Sequence, residues 1–141
     1  MFREKQDLKK FIQGPIEVRQ SSVHGRGVFA TEDIPANVCI EICPAVVFAR
    51  DLLDDWWTEQ EQKHVLTEHV FHHDVGAYGQ SIVFGYGSIY NHRIPSNAMF
   101  RWSEVMPEPA MEFWTITPIK KDEEIFTRYC TYKSDEWWWT E

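Results

Sequence analysis

The sequence predicts a mainly β domain, β+α in class, on three observations. Alternating or β-branched runs recur at 16–19, 38–48, 81–84 and 111–116, separated by turns that contain glycine or proline. The most helical stretch is 50–67, where Leu52, Leu53, Trp56, Trp57, Val65 and Leu66 lie among Asp and Glu without Gly or Pro. A length of 141 residues, 43% of them hydrophobic, suffices for one compact core and not for two. A single domain over 1–141 follows, divided into an N-terminal arm (1–15), a core (16–129) and an aromatic tail (130–141).

In chain order, the arm mixes charges of both signs with Phe2, Leu8, Phe11 and Ile12, the pattern of a short helix or a mobile arm that Gly14-Pro15 ends. It has no apolar run of the kind a signal peptide or a membrane helix needs, so a soluble intracellular protein is expected. Ile16-Glu17-Val18-Arg19 alternates as a half-buried strand. Gly25 and Gly27 flank Arg26 directly before the β-prone Val28-Phe29-Ala30, giving a tight loop whose amides can point at a ligand; a plain hairpin explains the same glycines. Residues 38–48 fit two short strands interrupted by Pro44. Trp56 and Trp57 are adjacent, so a helix sends them different ways and one meets a neighbouring element or a partner. Residues 70–78 are turn-rich, and a strand at 81–84 follows. Beyond it, 98–102 alternates weakly, Pro107 and Pro109 mark a loop, and 111–116 is the next strand.

Composition narrows the chemistry. The cysteines Cys39, Cys43 and Cys130 have no paired ligand spacing, and their odd number argues for reduced, mostly buried thiols. His69, His72 and His73 lie close together without a carboxylate or thiolate at a matching interval, so a strand or loop is favoured over a metal site. A formal net charge of −8 disfavours nucleic-acid binding and suits a basic partner, although ordinary solubility charge explains it equally simply.

The stretch richest in site-like chemistry is Phe84-Gly85-Tyr86-Gly87-Ser88-Ile89-Tyr90-Asn91-His92-Arg93-Ile94-Pro95-Ser96-Asn97. Its glycines let a backbone approach a ligand closely, Asn91 and His92 offer donors and acceptors, and Pro95 fixes the return. Taken alone, a self-satisfied loop is the commoner outcome. The run resembles the Asn-His motif of SET-domain protein lysine methyltransferases, and two further stretches resemble that family in the family's order. His24-Gly25-Arg26-Gly27-Val28-Phe29-Ala30 is similar to its first motif, and Asp122-Glu123-Glu124-Ile125-Phe126-Thr127-Arg128-Tyr129 to its closing signature. Together they span most of the chain.

The departures from the family pattern are specific. Ile42 stands where an aromatic commonly follows the acidic residue of its strand, Arg93 where serine is usual, Asp122 where glycine is usual, and Arg128 where an acidic residue is common. Pro95 comes one place early. The chain also lacks the cysteine-rich zinc segment that ends many members, as minimal viral or bacterial members do. Instead it carries Trp137-Trp138-Trp139, each able to bury roughly 200 Å². These tryptophans are open to three roles: covering the cofactor, a homodimer contact, or core packing.

The resemblance implies several short sheets with a knot-like crossing, where the segments of Asn91 and Tyr129 pass through one another. It implies methyl transfer from S-adenosylmethionine to a lysine of a basic protein, histone-like or ribosomal, without direct nucleic-acid or membrane binding and without a metal. Tyr129 would be catalytic. Gly25, Arg26, Gly27, Asn91, His92, Tyr129 and Trp138 would hold the cofactor, and Phe100, Thr127 and Tyr86 would face the substrate. A cytoplasmic or host-intracellular location is expected, with a nuclear one left open. The competing reading is a SET-derived module that binds a basic peptide without turnover; a third is a β-rich interaction domain assembled through the tryptophan tail.

Overall fold

The computed structural model describes residues 12–49, 71–75 and 78–128. They form β1 (Ile12–Gln13), β2 (Ile16–Gln20), β3 (Arg26–Ala30), β4 (Cys39–Ala49), β5 (Phe71–Val75), β6 (Tyr78–Val83), β7 (Asn91–His92), β8 (Ala98–Trp102), β9 (Ala110–Thr115) and β10 (Glu124–Thr127). No helix occurs among the described residues. The expected helix at 50–67, Tyr129 and the tail with Trp138 lie outside them.

One sheet runs β5-β6-β4-β9-β8, with β1 added on β4, and a second runs β2-β3-β10-β7. The mainly β expectation therefore holds for the described residues. In the second sheet β7 and β10 pair in parallel, Phe126 against Asn91 and Thr127 against His92. That parallel pair sets the Asn-His segment beside the strand that leads to Tyr129, the two segments the expected crossing would join.

Three local expectations need correction. Residues 38–48 are one eleven-residue strand, not two. Pro44 is accommodated because the strand's partners change around it: its antiparallel pairing with β9 covers Cys39 to Pro44, and that with β6 covers Ala45 to Ala49. The proline has no N–H to leave unpaired, and its carbonyl still accepts from Phe84 N at 2.9 Å. The end of the arm is also a strand: Ile12 and Gln13 pair with Ile42 and Glu41, and Gly14 N donates to Ile40 O at 2.7 Å. Finally, the turn-rich 70–78 contains β5 and the start of β6, an antiparallel pair at the sheet edge. An edge strand meets one neighbour only, so its sequence carries a weaker apolar signal than a central strand.

The main core gathers Ile16, Val28, Ile34, Ile40, Cys43, Tyr90, Phe113, Ile119 and Ile125 from both sheets. Ile34 and Ile119 exchange backbone hydrogen bonds of 2.7 and 2.8 Å and so tie two loops across it. A register irregularity between Cys39 and Glu41 puts Ile40 with the main core while Ile42 joins Ala110 and the half-buried Val105, Met106 and Trp114 in a second cluster. Ile42, at the position where the family commonly has an aromatic, is thus packing rather than site.

Asp122 explains another departure. Its φ is +71°, the left-handed region in which glycine is free of the Cβ penalty. Aspartate is retained here with a side chain that accepts from Arg19 Nη1 at 2.9 Å. Asp122→Gly is expected to shift unfolding stability by less than about 1 kcal/mol, since relief of backbone strain is offset by extra freedom of the unfolded chain and by the lost contact. Urea unfolding checks this; a large loss would mean that the Arg19 contact outweighs the strain.

Candidate active site

The three sequence motifs meet at one side chain. Asn91 is nearly fully buried on β7, and its Nδ2 lies 2.9 Å from His24 O, 3.0 Å from Arg26 O and 2.8 Å from Glu124 Oε2. The first two carbonyls belong to the Gly25-Arg26-Gly27 loop and the carboxylate to the closing motif. The second sheet makes this meeting possible: β10 lies between β3, against which Glu124 opposes Phe29, and β7, where Phe126 opposes Asn91.

Glu124 links the loop from a second direction. Its Oε1 accepts from Ser21 Oγ at 2.7 Å, and that hydroxyl oxygen in turn accepts from Val23 N at 3.0 Å and His24 N at 3.3 Å. Ser21 N closes the loop on Gly25 O at 2.8 Å. The loop is therefore folded on itself: the amides of Val23 and His24 serve Ser21 and are not directed at a ligand. Gly25 has φ +47° and nothing within 4 Å of a built Cβ, so it meets a conformational requirement on an open face. Gly27 meets a spatial one. A Cβ there would overlap Glu124 Oε2 and lie 2.8 Å from Glu124 Cδ and 3.0 Å from Asn91 Nδ2.

The remaining expected site residues divide by burial. His92 is exposed beside Thr127, and Arg26 is exposed at the start of β3. Thr127 is fully buried, 1% exposed, so its side chain faces the core, and its carbonyl accepts from Arg93 N at 3.3 Å. The Arg93 guanidinium sits 4.1 Å over the Phe126 ring. Tyr86 is half-buried against the main core. Phe100 meets Phe71 edge-on at 4.9 Å and Phe113 at 5.9 Å, while Phe113 stacks on Tyr90 at 4.3 Å. An aromatic group thus extends from β8 to the residue before Asn91. Asn97, the motif's last asparagine, is structural: it donates to Glu124 O at 2.9 Å and accepts from Phe126 N at 2.7 Å, holding β10 as a neighbouring strand would.

Behind the Gly85–Tyr90 turn lies a carboxyl that sequence reasoning passed over. Glu41 is 2% exposed in the middle of β4. Its Oε1 accepts from Tyr90 Oη at 2.8 Å, and its Oε2 from Tyr86 N at 2.9 Å and Gln13 Nε2 at 3.3 Å. It therefore holds both ends of the turn. Gly85, at φ +64°, is required here because a Cβ would come within 2.7 Å of Glu41 Oε2 and 3.2 Å of Cys43 Sγ. The glycines of the opening run thus admit the chain's own side chains: a Cβ at Gly87 would overlap Val83. Burial pushes the Glu41 carboxyl up, against the hydrogen bonds from Tyr86, Tyr90 and Gln13. Burial likewise pushes Cys39 up to about 12 and raises the Cys43 thiol and Tyr90 phenol, so these groups stay protonated at neutral pH. Cys39 and Cys43 are free, as expected.

The family model described as the SET domain matches residues 25–130. The chain belongs to the SET-domain family. A histone-lysine N-methyltransferase of Schizosaccharomyces pombe, H3 lysine-37 specific, is 33% identical over 118 residues, covering 84% of this chain and 75% of that protein. The crystal structure of a candidate histone methyltransferase of Plasmodium falciparum superposes with a TM-score of 0.66 at 28% identity, covering 87% of this chain and all of that one. Protein-lysine methylation is accordingly the activity class of this SET domain, and its curled sheets are those of the family.

Proposed function

We propose that the chain transfers a methyl group from S-adenosylmethionine to a lysine of a histone-like basic protein, at a site walled by the Gly25-Arg26-Gly27 loop, Asn91-His92 and the end of β10. The observation that carries this reading is the convergence of three sequence-distant motifs on Asn91 Nδ2. The Schizosaccharomyces pombe relative, named for a histone lysine, and the net charge of −8 support a basic substrate.

The residues present fit the methyl donor. Asn91 Nδ2 is fully engaged within the protein, whereas no described residue takes its Oδ1, which leaves an acceptor suited to an ammonium group. The exposed His92 and the open face at Gly25 lie on the same segments. When bound, S-adenosylmethionine supplies a methyl group on a positively charged sulfur. The protein's task is to present a neutral amine in line with it. Lysine has a pKa of about 10.4 in water, and an apolar channel ending at a positive charge lowers it through desolvation and like-charge repulsion. Phe100, within its aromatic group, is assigned to that channel with Tyr86, and Tyr129 to orienting the amine. A dedicated strong base is then unnecessary.

The reading is tested by incubating the purified protein with core histones and S-adenosylmethionine labelled in the methyl group. Label on a histone lysine is expected; cofactor binding without label on any lysine would favour the peptide-binding alternative. Phe100 carries no hydroxyl to hold a water beside the amine, so products with more than one methyl per lysine are expected by mass spectrometry. Strict monomethylation would remove Phe100 from that role.

A further inference from the structure

The contacts around Asn91 fix more than its position. Its amide has two hydrogens and faces three oxygens, those of His24, Arg26 and Glu124, at 2.8 to 3.0 Å. Flipping the amide would set Oδ1 against all three, with one of them charged, so only one orientation is tolerated. Of the three, only Glu124 brings a side chain, and it is itself held by Ser21 at 2.7 Å. Gly27 is what lets Glu124 and Asn91 lie against β3 together.

We propose that Glu124 is a positioning residue for the cofactor: by locking the amide of Asn91, it turns Oδ1 toward the α-ammonium of the methyl donor. The assignment rests on the reading above that Asn91 lines the cofactor pocket. It gives the carboxylate a role distinct from strand formation. The Glu124 charge engages the Asn91 Nδ2 side, and the neutral carbonyl is left for the ligand's cation. Removing the carboxylate frees the amide to flip or tilt and so weakens recognition of one functional group, the amine, while contacts to the rest of the ligand persist.

The test is calorimetric titration of two ligands into the full chain: S-adenosylhomocysteine, and its desamino analogue, which lacks only the α-amino group. The wild type should bind the first more tightly. In Glu124→Ala, affinity for S-adenosylhomocysteine should fall about tenfold, which corresponds to about 1.4 kcal/mol, while affinity for the desamino analogue changes less than about twofold. Glu124→Gln keeps an acceptor and should recover most of the loss. If Glu124→Ala does not fold, Glu124→Asp is read in its place, since the shorter side chain cannot reach Ser21 and Asn91 together and should show the same selective loss. Equal loss for both ligands, or loss for neither, overturns the proposal. Asn91→Ala separates the two levels: if it leaves the preference for the amine intact, the assignment of Asn91 to the pocket fails, and if it abolishes the preference while the Glu124 variants retain it, only the role of Glu124 fails.

Discussion

Tyr129→Phe should reduce methyl transfer by about 10²-fold or more while S-adenosylhomocysteine affinity stays within about threefold of wild type. The expectation follows from what the site has to do. The reaction needs no strong base once the amine is neutral, so most of the barrier is lowered by holding amine and methyl group in line. A phenolic hydroxyl lost from that alignment therefore appears in kcat and leaves cofactor binding nearly untouched. β10 runs parallel to β7 and brings Thr127, two positions before Tyr129 in the sequence, alongside His92. Single-turnover kinetics with a lysine peptide, alongside calorimetry, separates the two quantities. Full transfer by the variant would show that the amine is oriented by another group.

The largest effect on stability is expected at Glu41. Glu41→Ala removes the carboxylate that accepts from the buried Tyr90 hydroxyl and the Tyr86 amide, and each such buried hydrogen bond lost costs about 1–3 kcal/mol, so a loss of about 3 kcal/mol or more is expected in urea unfolding. Glu41→Gln keeps a carbonyl acceptor and should lose less. Stability should also depend on pH through this residue. Burial holds the folded carboxyl above its ordinary value of 4.5, so as pH rises from 4.5 the unfolded chain gives up the proton first. The folded state then binds more protons than the unfolded one, and stability falls across the interval between the unfolded and folded values. Glu41→Gln should flatten that slope. A Glu41→Ala protein as stable as the wild type, or an unchanged slope in Glu41→Gln, would contradict the role given to the network.

Much of the second sheet was legible because its elements follow local rules. Alternation marks β2, the glycine-flanked arginine opens β3, and the closing motif contains β10. Asn91 and His92 were legible through the motifs they share with the family. What alternation could not show was charge inside. Glu41 and Glu112 are both 2% exposed, and in a sequence each looks like one more solvent-facing acid. Glu112 is satisfied by Arg101 Nε and Trp114 Nε1, both at 2.8 Å, and Glu41 by donors from residues 13, 86 and 90. For Glu41 this satisfaction depends on contacts between distant segments, which no local window contains, and for Glu112 on the pairing of β8 with β9 that sets Arg101 opposite it. Spacing likewise leaves open whether a glycine serves a ligand or a neighbour. Gly27, Gly85 and Gly87 all make room for side chains of the chain itself.

Glu124 shows the same limit from the other direction. It stood inside a recognised motif, but only the parallel pairing of β7 with β10 brings its carboxylate to Asn91 and gives it work beyond the strand. Ser21, outside every motif, enters the site through the same carboxylate.

By the proposed reading, the three motif segments form one cofactor site. Backbone amide chemical shifts recorded during titration with S-adenosylhomocysteine test it most directly. Saturable changes concentrated in residues 22–27 and 90–93 are predicted, and binding whose largest changes fall on β8 and β9 instead, or no binding at all, would contradict it.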